Sequence, residues 1–399
     1  MTRVLLVCPE PLHGQPAGIG IRFLEMANVL RADAHRVTII APSGGDAPLT
    51  PMSLLEQSQS HDCAVVQGHV ANDFFAHARP LPTVVDLYDP FIVENLHYFG
   101  ERGAEVFSHD HRTLVQSVVR GDFFLCASEA QRLFYLGLLL ATGRVNPELF
   151  AHDPRFRSLI AVAPFGVAPA EARETRENFD ILFGGIYDWY DPILAIDAVA
   201  RARESLPQLT LTFTRHPNPD ITPQGKLAEA IAHAKKHRYD FVQFAPWVPY
   251  AERGAFFARF TLALLTFPQS IETDLAMRTR IYDFLWGALP VVTSSAPGTD
   301  ELLLRYRAGS VIRDESADAF ARELVALFRD RAKLGAMREG ATQFTREHQW
   351  RDTLAPLREF CAAPRFDETK ARWAATIGVP EQPPTLAARV KRRIRRFTT

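Results

Sequence analysis

The segment ILFGGIYDWYDPILAIDAVARARESLPQLTLTF, residues 181–213, decides the predicted fold. It contains an apolar strand, a glycine turn, a helical pattern, a proline-marked helix end and a second apolar strand. Parallel strands need a long crossover connection, which is usually a helix packed on the sheet. The segment therefore predicts a β-α-β unit of a parallel, doubly wound sheet.

The same alternation runs through the rest of the chain. In the first half, the apolar runs VLLVCPEP, RVTIIAPS, CAVVQG, TVVDLYD and DFFLCASE alternate with helical patterns. In the second half, DFVQFAPWVPY, TLALLTF, LPVVTSS and GSVIRD continue the pattern. A chain of 399 residues exceeds what one core usually organises. We therefore predict an α/β protein with two Rossmann-like sheets that join near residues 164–176, and a ligand site in the cleft between them.

Composition and charge narrow the class of protein. Hydrophobic residues make up 47% and charged residues 23% of the chain, as in ordinary soluble proteins. A formal net charge of −1 argues against a general polyanion binder, so we expect no nucleic-acid partner. The four cysteines are widely spaced, and the apolar run at the N-terminus is too short for a signal peptide. These features predict a cytoplasmic protein with reduced thiols.

The end of the chain is strongly basic. Residues 389–397 carry a run of arginines with one lysine, interrupted by Val390, Ile394 and Phe397 at helical spacing. This pattern is typical of a peripheral anchor on an anionic membrane surface, here the inner face of the membrane. A solvated chain end would carry the same residues, so both interpretations stay open.

A glycine motif follows the first predicted strand. Because Gly18 and Gly20 have no Cβ atom, their amides could approach a phosphate or a sugar closely at the start of a helix. A plain strand-to-helix loop explains the same residues. The motif lacks a third glycine, and the next strand ends in Pro42 and Ser43 rather than in an acid, so a dinucleotide-dependent dehydrogenase is disfavoured.

Carboxylates cluster in DLYDPFIVEN, residues 86–95, at the end of another predicted strand. Asp86, Asp89 and Glu94 could accept hydrogen bonds from hydroxyls, or one of them could act as a general base. Asp89 before Pro90 could also cap a helix at its first turn. The two roles are compatible.

Several motifs together resemble a known family. VLLVCPEP with AGIGIR, SLIAVAPFGV, FVQFAPWVPYAER and YDFLWGALPVV are similar to motifs of GT-B fold glycosyltransferases, specifically the retaining family 4 enzymes that use nucleotide-activated sugars. GGIYDWYDP, RHPNPD, WVPY and the RTRxxDxLW pattern resemble one bacterial branch of that group. The resemblance extends over almost the whole chain, up to about residue 362.

The resemblance implies a division of the chain into domains. An acceptor-side Rossmann-like domain would span residues 1–168, and a nucleotide-sugar-binding Rossmann-like domain would span residues 169–345. A helix over residues 346–362 would cross back to the first domain, followed by an extension with the basic tail over residues 363–399.

The resemblance also implies roles for residues of SIETDLAMRTRIYDFLWGALPVV, residues 270–292. Asp283 matches the carboxylate that holds the nucleotide ribose, and Glu272 best matches the one that faces the transferred sugar. The spacing between these two is longer than in the family. Trp247 and Val248 match the segment that pairs with the nucleotide base, although a core tryptophan would also explain Trp247.

The turn after DILFGG departs from the family pattern, because the family places an Arg and a Lys there and this chain has no cation. A diphosphate in a partly dry cleft needs positive partners. We expect Arg278 and Arg280, near a helix N-terminus, to replace that pair. Either arginine could instead pair with Asp274 or Asp283. Secondary candidates for phosphate or sugar contacts, at another strand end, are Arg215 and His216.

The activity implied by the resemblance is transfer of a sugar from a nucleotide sugar to an acceptor hydroxyl with retention of configuration, without a metal or cofactor. Asp89 would orient the acceptor, a saccharide or lipid-linked saccharide of the bacterial envelope. The leaving phosphate would take the proton while the protein positions both partners. A sugar-nucleotide epimerase and a non-catalytic sugar-binding or assembly partner stay open as alternatives.

Overall fold

The computed structural model describes residues 1–14, 16–169, 178–215 and 225–374. The predicted contacts of His216 and of the basic tail, residues 389–397, lie outside these ranges. Within them, two wholly parallel sheets follow one another along the chain. The α/β fold class with two Rossmann-like domains is therefore confirmed.

The first sheet has the strand order β3-β2-β1-β4-β5-β6-β7. Its strands are β1 (Arg3–Val7), β2 (Arg36–Ala41), β3 (Ala47–Pro48), β4 (Cys63–Gln67), β5 (Thr83–Asp86), β6 (Phe123–Cys126) and β7 (Ile160–Val162). The second sheet has the order β10-β9-β8-β11-β12-β13. Its strands are β8 (Asp180–Gly185), β9 (Thr210–Thr214), β10 (Val242–Ala245), β11 (Leu262–Leu265), β12 (Val291–Ser294) and β13 (Gly309–Ile312).

Helices cover both sheets. Those of the first domain are α1 (Gly18–Ala32), α2 (Pro51–Ser58), α3 (Ala71–His77), α4 (Phe91–Glu94), α5 (Phe99–Arg120), α6 (Glu129–Ala141) and α7 (Pro147–His152). Those of the second are α8 (Pro192–Ala202), α9 (Gly225–His237), α10 (Arg253–Phe257), α11 (Ile271–Leu275), α12 (Thr279–Trp286), α13 (Pro297–Tyr306), α14 (Ala317–Arg329) and α15 (Arg331–Glu347). The chain then continues in α16 (Trp350–Thr353), α17 (Ala355–Ala362) and α18 (Lys370–Trp373).

Burial on both faces explains why the strands are almost continuously apolar. In β1, Val4 and Leu6 join one core cluster and Leu5 and Val7 join another, because successive side chains point to opposite faces of a sheet. A strand covered on both faces has no solvent-facing position that would favour a polar residue. The apolar runs in the sequence therefore predicted strands of a parallel sheet.

The motif YDP shows how local chemistry starts a helix. Asp191 caps α8, since its Oδ1 accepts a hydrogen bond of 3.0 Å from the backbone N–H of Leu194. Pro192 takes the first helical position, where its missing N–H costs nothing. The glycine turn after β8 thus leads directly into a capped helix that packs beside α9 and α14.

Strand order places the ligand-binding edge. In the first sheet, β2 and β3 lie on one side of β1, and the chain then crosses over so that β4 lies on the other side. In the second sheet, β9 and β10 lie on one side of β8, and β11 lies on the other side. Ligands of doubly wound sheets bind at such switch points, outside the carboxyl ends of the strands. The loops that follow β1, β4 and β5, and those that follow β8, β11 and β12, are therefore the segments to examine.

The end of the described chain returns to the first domain. Val167 pairs with Gln349 in a short parallel bridge. Arg358 on α17 forms hydrogen bonds of 2.5 and 3.1 Å with Asp33 at the end of α1. Further along, Asp367 accepts a hydrogen bond of 2.6 Å from the fully buried Arg144. Among the helices of the described ranges, none combines the length and the apolar character that a bilayer crossing requires.

A substitution at Gly166 tests how tightly the end of the described chain packs against the first domain. A Cβ atom added at Gly166 would lie 2.5 Å from the Cα atom of Trp350. We expect Gly166→Ala to lower the free energy of unfolding by about 1–3 kcal/mol through overpacking, measured by urea denaturation. Gly137→Ala on α6 is the matched control, because its Cβ would meet no atom within 4 Å. Equal stability of the two variants would contradict the described contact.

Candidate functional site

The two domains meet through the segments that follow the carboxyl ends of their strands. The side-chain amide of Gln131 on α6 donates to the carbonyl oxygen of Tyr88 in the first domain and to that of Leu275 in the second, both at 3.0 Å. Helices α4 and α6 pack against α11, and α6 also packs against α13. The switch points of the two sheets therefore face a common cleft, where we place the candidate site.

The glycine motif lies at the start of α1 on the first-domain side of the cleft. The backbone N–H of Gly20 donates to Glu10 Oε2 at 2.8 Å, and a Cβ at this position would lie 2.9 Å from Pro16 Cβ. A Cβ at Gly18 would meet no atom within 4 Å. Gly20 is thus required by packing and is bonded to Glu10, while the start of the helix at Gly18 stays sterically open.

A buried ion pair supports this wall, and sequence reasoning did not single it out. Arg22 is fully buried; its Nε donates to Asp86 Oδ2 at 2.7 Å and its Nη2 to Asp86 Oδ1 at 3.1 Å. The same guanidinium donates to the carbonyl oxygens of Ala163 and Pro164. Arg22 therefore ties α1 to β5 and to the crossing segment, and each oxygen of Asp86 accepts a hydrogen bond from it.

Asp89 occupies the loop between β5 and α4. Its Oδ2 lies 3.8 Å from His69 Nε2, and its side chain keeps 16% of its accessible surface. The ring of His69 packs on Phe91 with 4.1 Å between the centroids. At the end of α4, burial raises the pKa of Glu94 well above its ordinary value, and the nearby charge of Asp89 raises it further. The structure thus places two carboxyl groups and an imidazole together on the first-domain wall.

Glu272 and Arg278 form a buried pair on the opposite wall. Arg278 Nη1 donates to Glu272 Oε1 at 2.6 Å and Nη2 donates to Oε2 at 2.7 Å. Both side chains are only 2% exposed, and the guanidinium lies 4.7 Å from the ring centroid of Phe267. A bidentate arginine–carboxylate pair of this kind is among the strongest polar contacts in proteins. The partner of Arg278 is thus neither Asp274 nor Asp283.

This pairing bears on two predicted roles. The sugar contact of Glu272 and the diphosphate contact of Arg278 stay predictions, since both terminal nitrogens of the arginine and both oxygens of the glutamate already bond each other. A ligand that recruits either group has to compete with this pair. The sequence did contain a signal, because the two residues flank a short capped helix and could fold back on one another.

Arg280 reaches the glycine turn that follows β8. Gly184 has a φ of +84°, and a Cβ at that position would overlap Arg280 Nη1. The guanidinium carbon lies 5.3 Å from the ring centroid of Tyr187 and 5.7 Å from that of Tyr190. Arg280 Nε is buried without a hydrogen-bond partner in the described part of the chain. The cation that the turn lacks in sequence is therefore supplied from α12.

Asp283 lies further along the same helix. Its Oδ1 is 3.4 Å from Arg253 Nε, and its side chain is 36% exposed. Withdrawal from bulk water raises the pKa of Asp283, while the charges of Arg253 and Arg280 pull that pKa back down. Arg253 in turn lies over the ring of Trp286, 4.1 Å from its centroid. The carboxyl group of Asp283 therefore remains partly accessible to solvent.

The other residues that we predicted to bind the nucleotide sugar lie directly after the neighbouring strands. Gly185, Thr214 and Ala245 are aligned across β8, β9 and β10, so the segments that leave these strands lie side by side. Arg215 is exposed at the end of β9. Trp247 and Val248 are half-buried in the loop after β10. These residues line the same edge of the sheet as the glycine turn.

No protein-family model and no curated protein matches this sequence. Solved structures do share its fold. Anabaena HepE, in complex with UDP-glucose, aligns with a TM-score of 0.66 and 15% identity over 91% of this chain and 98% of its own. WaaG, a glycosyltransferase involved in lipopolysaccharide biosynthesis, gives 0.63 and 14% identity over 90% and 100%. Sucrose-phosphate synthase from Thermosynechococcus elongatus gives 0.63 and 10% identity over 90% and 98%.

These similarities extend over both domains rather than over one sheet. The chain therefore has the two-domain GT-B fold, in which two Rossmann-like domains face one another across a cleft. At these levels of identity the likeness shows the fold alone. The activity has to be argued from the residues of the cleft.

The Glu272–Arg278 pair gives a direct test of the site geometry. Glu272→Gln or Arg278→Met leaves one buried charge without its partner, and we expect each to lower the free energy of unfolding by about 3–5 kcal/mol. The double variant should cost less than the sum of the two, because no unpaired charge remains. Chemical denaturation of the three variants measures this coupling.

An exposed ion pair provides the control for that cycle. Glu148 and Arg372 are paired, with side chains 41% and 59% exposed. Glu148→Gln should leave the free energy of unfolding almost unchanged, since solvent screens surface pairs. Additive effects of Glu272→Gln and Arg278→Met would contradict the buried pair.

Proposed function

We propose that this protein transfers a sugar from a nucleoside diphosphate sugar to an acceptor hydroxyl with retention of configuration. The donor site would lie at the carboxyl edge of the second sheet and the acceptor site on the opposing wall. The GT-B fold supports this assignment. Two structural neighbours also support it, since one is described as a glycosyltransferase and the other as a sucrose-phosphate synthase. The UDP-glucose bound to HepE supports a uridine diphosphate sugar as the donor class.

The position of Arg280 is the observation that carries the proposal. Its guanidinium lies against the glycine turn after β8, and in the described part of the chain no acid pairs with it. A diphosphate that approaches this turn would meet an uncommitted, planar cation and the N-terminal amides of α12. Gly184 leaves room for the arginine, because a Cβ atom there would overlap Arg280 Nη1.

The neighbouring residues then define the rest of the donor. Asp283, on the helix that carries Arg280, would accept hydrogen bonds from the ribose hydroxyls. Trp247 and Val248, beside the turn, would contact the base. Arg215 would provide a further positive charge for the phosphate or the sugar. Glu272 would face the sugar, held in one orientation by its bond to Arg278. Buried, prearranged groups of this kind provide catalysis through positioning.

The main catalytic contribution of the protein would be to stabilise the leaving diphosphate. As the bond from the sugar to the phosphate breaks, negative charge grows on the phosphate oxygens near Arg280. Cations and helix amides aimed at that charge lower the barrier most in a water-poor cleft. The acceptor hydroxyl would attack from the same face, and its proton would pass to the departing phosphate. We expect the reaction to need no metal or other cofactor.

The biological setting is also part of the proposal. WaaG acts in lipopolysaccharide biosynthesis, which supports an envelope polysaccharide or glycoconjugate as the product class. A saccharide or lipid-linked saccharide would then be the acceptor. A cytoplasmic enzyme could meet such an acceptor through peripheral binding of residues 389–397 to the anionic inner face of the membrane. An acceptor-independent conversion of the nucleotide sugar would favour an epimerase instead.

Nucleotide binding tests the donor site. We expect UDP to raise the melting temperature of the protein, because a ligand that binds only the folded state stabilises it. Arg280→Ala should weaken UDP binding by roughly tenfold to a hundredfold, the worth of a hydrogen bond to a charged group. Isothermal titration calorimetry of both proteins measures the change.

Arg322→Ala serves as the control for loss of an arginine, because that side chain is exposed on α14, a helix that packs against α8 and α15. It should bind UDP like the unchanged protein. No binding of UDP or of any other nucleoside diphosphate at millimolar concentration would rule out the donor site. Nucleotide binding without transfer to any acceptor would favour a non-catalytic partner.

A further inference from the structure

One fully buried side-chain amide, that of Gln131 on α6, bonds to both domains. Its Oε1 accepts a hydrogen bond of 2.7 Å from the backbone N–H of Ala127, which fixes which end of the amide is the oxygen. The Nε2 atom then has two N–H groups, and it donates to Tyr88 O and to Leu275 O, both at 3.0 Å. Each N–H of this amide therefore serves a different domain.

The start of α6 holds Gln131 in place without help from the second domain. Ser128 caps the helix, since its Oγ accepts a hydrogen bond of 3.1 Å from the backbone N–H of Gln131. A serine with a glutamine three residues later is the pattern of a capping box, in which the glutamine side chain turns back toward the helix start. Here it turns back one residue further, to Ala127. The two N–H groups of the amide therefore point in a fixed direction.

The first carbonyl lies directly before Asp89. The peptide unit that contains Tyr88 O also contains the backbone N–H of Asp89, so a bond to that oxygen constrains where the backbone of Asp89 lies. The ring centroid of Tyr88 lies 4.6 Å from the guanidinium carbon of Arg22 and 5.9 Å from the ring centroid of Phe165. This carbonyl is therefore part of the packed wall of the first domain.

The second carbonyl lies, in the chain, between the two residues of the buried ion pair. Leu275 ends α11, and the next residue, Ala276, donates its backbone N–H to the carbonyl oxygen of Glu272 at 2.7 Å. Arg278 then bonds the Glu272 side chain at 2.6 and 2.7 Å. A bond to Leu275 O therefore fixes the loop between α11 and α12, which the ion pair closes.

The amide brings these two peptide units close together. Tyr88 O and Leu275 O are each 3.0 Å from the same nitrogen, so they lie no further apart than twice that distance. Helices α4 and α6 pack against α11 beside this point. Because Gln131 has no exposed surface, removal of its N–H groups would leave a buried carbonyl oxygen of each domain without this donor, which is costly.

We propose that Gln131 is a positioning residue for the transfer reaction, which holds the peptide unit before Asp89 and the loop after α11 at the spacing that the reaction needs. The inference rests on the proposed function. Asp89 would orient the acceptor and Glu272 would face the sugar, so an error in this spacing would separate the reacting groups. Misplacement by about 1 Å can lower a rate by about a hundredfold.

Two substitutions remove the bonds between the domains, and a third is the control. Gln131→Glu keeps an oxygen for the N–H of Ala127 but, when ionised, has no donor for either carbonyl. Gln131→Met removes all three bonds, and it covers the case in which the buried acid takes up a proton. The matched control is Asn146→Asp, because Asn146 is also buried, caps α7 with its Oδ1 and donates with its Nδ2 to Arg144 O and Thr369 Oγ1, both outside the second domain.

Pulsed electron paramagnetic resonance between two spin labels on the full chain measures the spacing of the domains. All four cysteines are buried, so the labels would attach at Glu56→Cys on α2 and Arg322→Cys on α14, which are exposed positions in different domains. We expect a narrow distance distribution without further changes and in Asn146→Asp. A broader distribution is expected in Gln131→Glu and in Gln131→Met. Melting temperatures show whether each variant folds.

Turnover tests the positioning role, with UDP-glucose as the donor probe and release of UDP as the signal. We expect both Gln131 variants to lower kcat by about a hundredfold and Asn146→Asp to leave kcat unchanged. The proposed UDP contacts of Arg280 and Asp283 lie within the second domain, so the Kd of UDP should be the same in all four proteins. Loss of folded protein would instead lower the number of UDP sites that calorimetry detects.

The outcomes separate the two proposals. If UDP binds but both Gln131 variants keep the narrow distance distribution or the full kcat, this inference fails while the proposed function stands. If Asn146→Asp loses as much turnover as Gln131→Glu, loss of any buried amide explains the effect, which also overturns the inference. If UDP does not bind, the donor site is wrong, and the distance distribution alone decides whether Gln131 sets the spacing. The distribution also decides if the unchanged protein releases no UDP from UDP-glucose.

Discussion

The ion pair between Glu272 and Arg278 is the contact on which the geometry of the cleft depends. Both groups are almost fully removed from water, so each needs the other to offset a desolvation cost of several kcal/mol. Their bond closes the junction between α11 and α12. It thereby sets where α12 begins, and with it the positions of Arg280 and Asp283. The same bond holds a negative charge in place opposite α4.

Charge is divided between the two walls of the cleft. Arg280, for which the described part of the chain shows no acidic partner within ion-pair distance, lies on the second-domain side near the glycine turn, where a phosphate would be favoured. Carboxyl groups gather on the first-domain side, where hydroxyls would be favoured and phosphates repelled. Glu10, Asp89 and Glu94 all belong to this wall. Under the proposed function, this division of charge would orient a nucleotide sugar with its diphosphate toward the second domain and its sugar toward the first.

Most of the strands could be predicted from the sequence because parallel sheets bury both faces, which leaves unbroken apolar runs. Two strands escaped this reasoning. The strand Ala47–Pro48 is too short to show any pattern, and Ile160–Val162 lies inside SLIAVAPFGV, which was interpreted as a family motif and not as a strand. Both are outer strands of the first sheet, where fewer neighbours constrain the sequence.

The sequence alone determined the alternation of strands and helices, because this alternation depends on local apolar periodicity and capping. The tertiary structure decided which charged groups are free. Arg278 and Arg280 are near neighbours in the chain, yet one is buried against Glu272 and the other lies on Gly184. Side chains on a helix point in different directions, and what each one meets depends on packing between distant segments. The local sequence allowed a pair between Glu272 and a nearby arginine, but it did not show which arginine would form that pair.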